Sequence, residues 1–230
     1  MITTYKCSRC VGENSGFIKY GKTNQGKQRY QCKICKRINI LDYTYNAYEK
    51  DINQKIILFT KEGLGIRSTA RILKISATTL LKRILIIAGK IVQPTIKFYQ
   101  SYELDEMRFF VRKKSNPMWL VYAINKYTKE VSGFYIGKRN NKTLNAVVKT
   151  LIRSKARKIY TDKLKNYKYL IPKEIHKTER FGTNGIERQN LNLRIHLKRL
   201  NRKTICFSKN TLILISILKI YFWSRIESKY

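Results

Sequence analysis

Three carboxylates and one arginine stand apart in the carboxyl-terminal half of this sequence by type and spacing. Asp162 is the only acid between residues 131 and 173, a stretch that carries 12 Lys and Arg. Asp105 lies well before it, Glu187 comes 25 residues after it, and Arg194 follows seven residues later. Acids brought together from two strands and a helix can hold two Mg²⁺ (or Mn²⁺) ions about 4 Å apart. One ion then activates an attacking oxygen, and the other stabilises the leaving oxygen of an in-line phosphodiester displacement. Arg194, two turns along the same helix face as Glu187, suits a phosphate. Each acid also has an ordinary reading. An Asp at a strand end is commonly a turn residue, a Glu at a helix start complements the helix dipole, and single surface acids pair with nearby cations. Spacing alone leaves both readings open.

A second constellation lies near the amino terminus. Cys7-Ser-Arg-Cys10 and Cys32-Lys-Ile-Cys35 are two C-x₂-C knuckles separated by 21 residues. Four thiolates at about 2.3 Å satisfy tetrahedral Zn²⁺ and leave no open position, so such a site is structural. The alternatives are two disulfides or four unrelated thiols. Residues 17–30 between the knuckles carry hairpin chemistry around positions 24–26, which would bring the two turns together. His176 and His196 lack partners at zinc-ligand spacing, and Cys206 is left over as an expected buried core thiol.

Regular elements must position these groups. Residues 52–87 read as three helical pieces: a stripe of Ile52, Ile56, Ile57 and Phe59, a short helix over 66–74 with Ala70, Ile72 and Leu73 inward, and a third helix through Ile87 capped by Ser76. Two short helices joined by a tight turn fit a helix-turn-helix, with Thr78, Thr79, Lys82 and Arg83 toward a DNA groove; an ordinary small bundle is the other reading. Gln93-Pro94-Thr95 marks a boundary. From Tyr102 the pattern turns to strands at 103–111, 119–124 and 131–137, then a helix at 143–154, a strand at 158–161, a long helix from Gly185 to about Arg202, and an apolar helix over 211–223. Three strands, helix, strand, helix is the order of a ribonuclease-H-like α/β domain. Trp119, Tyr122, Phe134 and Tyr135 are expected in its core. Arg112-Lys-Lys114 with Asn116-Pro117 reads as a basic hairpin turn that meets backbone phosphate.

Charge decides the class of partner. The 230 residues carry 49 Lys and Arg against 14 Asp and Glu, a formal charge of +35, while 43% hydrophobic content is enough to bury a core. The excess is spread over both halves, with 19 basic and 5 acidic residues in 1–100 and 30 and 9 in the rest. A typical metabolic enzyme is excluded; a polyanion, first of all nucleic acid, is indicated. The longest apolar runs, 84–88 and 211–223, are too short for the roughly 20 residues that span a bilayer. The sequence therefore predicts a soluble, cytoplasmic, nucleoid-associated protein with no membrane partner.

The motifs Glu103-Leu-Asp-Glu106, Tyr160-Thr-Asp162 and Ile186-Glu-Arg-Gln-Asn-Leu-Asn-Leu-Arg194 resemble the catalytic motifs of the IS-one family of insertion-sequence transposases. The run Leu197-Lys-Arg-Leu-Asn-Arg-Lys-Thr-Ile-Cys-Phe-Ser-Lys209, and the order of a zinc knuckle then helix-turn-helix, resemble that family too. The resemblance covers nearly the whole chain. It implies a two-metal DDE transposase, with Asp105, Asp162 and Glu187 as Mg²⁺ ligands and Arg194 as the downstream basic residue. It also implies cleavage of 3′ ends by water and joining of the freed 3′-hydroxyl to target DNA. The expected organisation is a zinc-binding ribbon over 1–45, an all-α helix-turn-helix module over 46–95 and a ribonuclease-H-like catalytic domain over 96–230. Arg112, Lys113, Lys114, Arg188, Lys198 and Arg199 join the helix-turn-helix residues as expected contacts to double-stranded DNA, at element ends and at the target. Pairing two ends requires at least a dimer. His176 resembles a family position near the active site. Arg108 departs from the pattern, since the family has Trp there. The rival reading is a transposase-derived regulator that binds DNA without chemistry.

Overall fold

Short strands and tight turns build the amino-terminal part. The computed structural model describes residues 7, 9–10, 16–24, 26–41 and 45–225, and the chain divides into two units, 1–46 and 47–230. In the first, β1 (Phe17–Lys22) pairs antiparallel with β2 (Gln28–Cys32), and β3 (Ile38–Asn39) joins the other side of β2. The hairpin turn falls where the sequence places it, although position 25 lies outside the described residues. The Gly26 amide donates to the Thr23 carbonyl at 2.9 Å, and Gly26 takes φ +78°, a conformation that costs glycine little. After Cys32 the chain turns again, with the Lys36 amide donating to the Cys32 carbonyl at 3.1 Å.

The second unit begins with α1 (Ile52–Lys61), α2 (Ile66–Ile72) and α3 (Ala77–Lys90). The α1 stripe is as expected, with Ile52 and Ile56 buried and Ile57 and Phe59 packed at the edge of the same core. Ser76 caps α3, its hydroxyl accepting the Thr79 amide at 3.0 Å. The inward role expected of Ile72 is incorrect. It lies about 200° round the helix from Ala70 and is exposed. Ile75, beyond the end of α2, is buried instead. Gly63, between α1 and α2, has φ +76°, and a Cβ there would strike the His196 carbonyl.

Then follow β4 (Ser101–Val111), β5 (Lys113–Asn125), β6 (Val131–Gly137), α4 (Asn141–Arg153), β7 (Lys158–Tyr160), α5 (Tyr167–Leu170), β8 (His176–Lys177), α6 (Asn184–His196) and α7 (Thr211–Trp223). The sheet is mixed, in the order β6-β5-β4-β7-β8, with β4–β7 and β7–β8 parallel and the rest antiparallel. Alternation along β4 divides the core in two. Met107 and Phe109 face one cluster with α6, α7 and the three amino-terminal helices, whereas Tyr102 and Leu104 face another with α4. The helices α1 to α3 therefore share a core with the sheet's own α7.

Several expectations fail at element ends. The helix expected to reach Arg202 stops at His196, and the chain bends through a 3-10 turn at Lys198–Leu200, burying Leu197 and Leu200. Asn116 and Pro117 lie inside β5, because the hairpin turns at Arg112 alone, with φ +64°. Cys206 is exposed on the loop before α7, not a core thiol. Tyr135 is 45% exposed on the outer strand β6, while Tyr122 and Phe134 pack on Phe222 as core aromatics. Among the described residues no helix is long and apolar enough to cross a membrane.

Candidate active site and metal centres

The acidic constellation arises because β7 is short. It pairs with β4 only as far as Tyr160 opposite Glu103, so Asp105 and Glu106 project past its end. There the chain leaving β7 brings in Asp162. Carboxylate oxygens of Asp105, Glu106 and Asp162 all lie within 4.8 Å of one another. These three, with Glu187, Asn190, Arg194, Arg139 and Arg202, line one cavity of about 380 Å³. Asp105, Asp162, Glu187 and Arg194, which the sequence left as candidates, thus line one cavity. Glu187 stands on the cavity wall, outside the tight three-acid group, with its Oε1 accepting from the Thr183 hydroxyl at 2.9 Å.

Glu106 was not anticipated, because neighbours on a strand point to opposite faces; at the end of the pairing both can reach the same opening. Its Oε1 receives Arg139 Nη2 at 2.7 Å and Nε at 3.1 Å, and its Oε2 receives the Tyr167 hydroxyl at 2.7 Å. Burial, then the Glu106 charge, raise Tyr167 well above the ordinary phenol range, so it stays a donor. Asn190, one helical turn after Glu187, donates to Asp105 Oδ2 at 2.6 Å and accepts from the Tyr122 hydroxyl at 2.8 Å. Helical periodicity from Glu187 was the signal that could have found Asn190. Nothing in the sequence pointed to Arg139.

Burial pushes the Asp105 carboxyl up to about 6, with the Glu106 and Asp162 charges adding to it against hydrogen bonds from the Glu106 amide and Asn190. Clustered oxygen donors whose charge is disfavoured suit a hard divalent cation. Arg194 contributes the opposite need. Its Nε is buried without a hydrogen-bond partner among the described residues, and burial followed by the Arg202 charge disfavours its cationic form. An anion at that wall would relieve both.

Glu103 fixes the helix that carries three of these eight groups. Its side chain is 1% exposed, its Oε1 receives Lys129 at 2.8 Å and lies 3.7 Å from Lys126, and its Oε2 accepts the Ile186 amide at 2.8 Å. A carboxylate at a helix N-terminus satisfies an otherwise unpaired amide and complements the dipole. Gly185 permits the approach, since a Cβ there would lie 2.7 Å from the Glu103 carboxylate. Glu187, Asn190 and Arg194 then share one face of α6.

The four cysteines expected to hold zinc also converge. Their sulfurs all lie within 4.8 Å, with Cys7 and Cys35 at 3.7 Å. Two thiolates on a tetrahedral zinc at about 2.3 Å are about 3.8 Å apart, so the spacing fits the metal. None of the four is joined in a disulfide here. Backbone amides of Arg9 and Cys10 draw the Cys7 thiol down to about 7, and the hydrogen bond with Cys35 lifts Cys10 to about 12.

Residues 99–225 match the family described as IS1 transposase, and residues 43–85 match the InsA C-terminal domain. This chain belongs to the IS1 transposase family. Insertion element iso-IS1n protein InsB of Shigella dysenteriae is 39% identical over 108 residues, 47% of this chain and 82% of that relative. Insertion element IS1 2 protein InsB of Escherichia coli (strain K12) is 34% identical over 119 residues, 52% of this chain and 71% of that relative. A chain of a simian T-cell lymphotropic virus intasome, solved by cryo-EM with a PP2A regulatory subunit, aligns over 71% of this chain and 66% of its own length, with 12% identity and a TM-score of 0.40.

In the transposase the expected DNA contacts are scattered. On α3, Thr78 and Lys82 are exposed and Thr79 is half-buried, whereas the Arg83 guanidinium donates to the Ala47 carbonyl. Arg112 is tied to the 208–209 loop, its amide donating to Ser208 at 2.9 Å and its Nε to Lys209 at 3.1 Å. Lys113, Arg188 and Lys198 are exposed, and Arg199 is half-buried. Lys114 and Lys198 line an open groove of about 930 Å³ with Arg194, Lys203 and Asn201, so that cavity and groove share Arg194. His196 bonds the Tyr221 hydroxyl at 2.6 Å, and His176 Nε2 bonds Thr161 at 2.8 Å beside Asp162.

Proposed function

We propose that the chain is a DDE-type DNA transposase that cuts at the ends of its element and joins them to target DNA. The observation that carries this reading is the meeting of Asp105, Glu106, Asp162, Glu187 and Arg194 in one cavity. Asp105, Asp162 and Glu187, with Glu106 beside them, would hold divalent ions of the Mg²⁺ class. When bound, these would neutralise phosphate charge and lower the pKa of an attacking water or 3′-hydroxyl. Arg194, on the wall of that cavity, donates hydrogen bonds to a non-bridging oxygen of the scissile phosphate. Asn190, oriented by Tyr122, holds the Asp105 carboxylate in one rotamer, and Glu103 sets the tilt of α6. Phosphates on either side of the cut run along the Lys114–Lys198–Lys203 groove.

The wider organisation follows from the same reading. Strand order β6-β5-β4-β7-β8 with helices on both faces supports a ribonuclease-H-like domain over 96–230. The four-cysteine cluster supports a zinc ribbon over 1–45, and α1 to α3 support a helix-turn-helix over 46–95 that reads element ends, acting on chromosomal DNA in the cytoplasm as at least a dimer. The test is Mg²⁺-dependent cleavage and strand transfer on DNA carrying the element's own ends, with Asp162→Asn beside wild type. Joined product from wild type alone is expected. End binding with no cleavage at any salt or metal concentration would refute the enzyme and leave the DNA-binding regulator.

A further inference from the structure

A second cleft opens beside the catalytic cavity and shares three residues with it. It measures about 500 Å³ and is lined by Glu106, Arg108, Phe110, Trp119, Arg139 and Arg202. Glu106, Arg139 and Arg202 also line the catalytic cavity. The cleft is a product of strand register. Residues 106, 108 and 110 share one face of β4, and Trp119 of β5 stands directly opposite Arg108. Phe110 and Trp119 give the cleft two aromatic faces, and the Arg108 guanidinium carbon sits 5.2 Å from the centre of one and 5.7 Å from the centre of the other. Glu106, the one acid of the lining, is already paired with Arg139.

This combination is particular about its occupant. Two aromatic rings attract a flat ring, and three guanidinium groups around them attract an anion, so a charged planar group joined to phosphate satisfies all of it. An acidic peptide would leave the rings unused, and an apolar helix would bury unpaired arginines. The volume suits one base with its sugar, not a duplex.

Resting on the transposase reading above, we propose that this cleft receives one unstacked nucleobase of the DNA strand whose scissile phosphate lies in the adjoining cavity. The base lies against the Trp119 ring with the Arg108 guanidinium, which rests over the same ring, shifted to the base's edge, and Arg139 and Arg202, which border both openings, face the phosphates on either side of it. The extruded nucleotide fixes which phosphodiester bond faces Asp105 and Asp162. No bond is made or broken in this step. Its cost is the unpairing and unstacking of one base, which stacking on the aromatic ring offsets.

The experiment uses the full chain with zinc retained and Ca²⁺ in place of Mg²⁺, so that DNA binds without being cut. Affinity for a duplex of the element's own terminal sequence is compared with that for duplexes carrying one mismatch, stepped through the positions flanking the cleaved bond. Wild type is expected to bind one mismatched position roughly tenfold more tightly than the paired duplex, because unpairing is already done. Trp119→Ala and the exposed Arg108→Ala should each remove that gain, while Tyr135→Ala, outside the cleft, should keep it. Arg108 is itself exposed, so Arg108→Ala covers the case in which Trp119→Ala fails to fold. No position with a gain, or a gain retained in Arg108→Ala, would overturn the proposal. Cleavage by wild type on the paired duplex in Mg²⁺ reports separately on the transposase reading.

Discussion

Replacing Asp105 by Asn should abolish cleavage and yet make the magnesium-free protein more stable. The Asp105 carboxyl is raised from 3.8 to about 6, chiefly by burial. Between those values the folded chain binds more protons than the unfolded one, so wild type loses stability as pH rises through about 4 to 6. Above that window the ionised carboxylate costs about 3 kcal/mol, at 1.36 kcal/mol per pH unit. Asparagine removes this term. It also replaces one acceptor oxygen with an amide donor, facing either the Glu106 amide or Asn190. Asn190 can turn its own amide over, since the Tyr122 hydroxyl also lies 3.3 Å from the Ile186 carbonyl; the residual loss is about 1 kcal/mol. The net gain is about 2 kcal/mol at pH 7.5, or roughly 4–8 °C in Tm for a domain of this size. Thermal melts of both proteins from pH 4 to 8, with zinc retained and no added magnesium, should give curves that cross between about pH 4 and 5, diverge up to about 6 and run parallel above it. Added Mg²⁺ should stabilise wild type and leave the variant almost unchanged. A variant that is no more stable at pH 7.5, or a difference that does not change with pH, would refute the reasoning.

Three further outcomes follow from the geometry. Glu103→Ala leaves the buried Ile186 amide and Lys129 without their acceptor and Lys126 without its counter-charge, so cleavage should fall at least tenfold while Glu103→Gln, which keeps an acceptor for the amide, retains more; cleavage rates of the two variants on one substrate check this. Cys32→Ser should lower bound zinc from about one per chain to none, read by metal analysis, because structural sites need all four thiolates. Lys114→Ala and Lys198→Ala should each weaken binding to any DNA sequence and reduce the slope of log K against log salt by about 0.9, measured by salt titration.

What the sequence made legible was whatever depends on period, on cap chemistry or on unusual residue type. The hairpin near Gly26, the Ser76 cap, β6 and α7 follow from local rules, and α7 and β6 fall at the expected residues. Asp162 stood out because it was alone in a basic stretch. Less legible was everything set by where pairing stops. Glu106 joins the acid group because β7 ends at Tyr160, a tertiary limit with no local signature. Glu103, beside Asp105 in the motif, turned out to hold the α6 N-terminus, and only the packing of Gly185 reveals that. Ile72, Tyr135 and Cys206 are exposed because hydrophobic type does not say which face of an element finds a neighbour.

The packing of α1 and α3 on α7 has a consequence for how such an element can change hosts and targets. A reader that formed its own globule could be exchanged between relatives like a cassette, leaving the cutting machinery intact. Here Leu80, Ile84 and Ile87 of α3 lie in the same interior as Ile217 and Ile220 of α7, so a graft ending near residue 95 would tear open the interior of the cutter. If α3 reads element ends as proposed, new sequence preference must arise by substitutions on its outward face, where Thr78 and Lys82 are exposed, with its inward face held to the carboxyl-terminal helix. Drift in one part of the gene is answerable to the other, and the two inherit their history together.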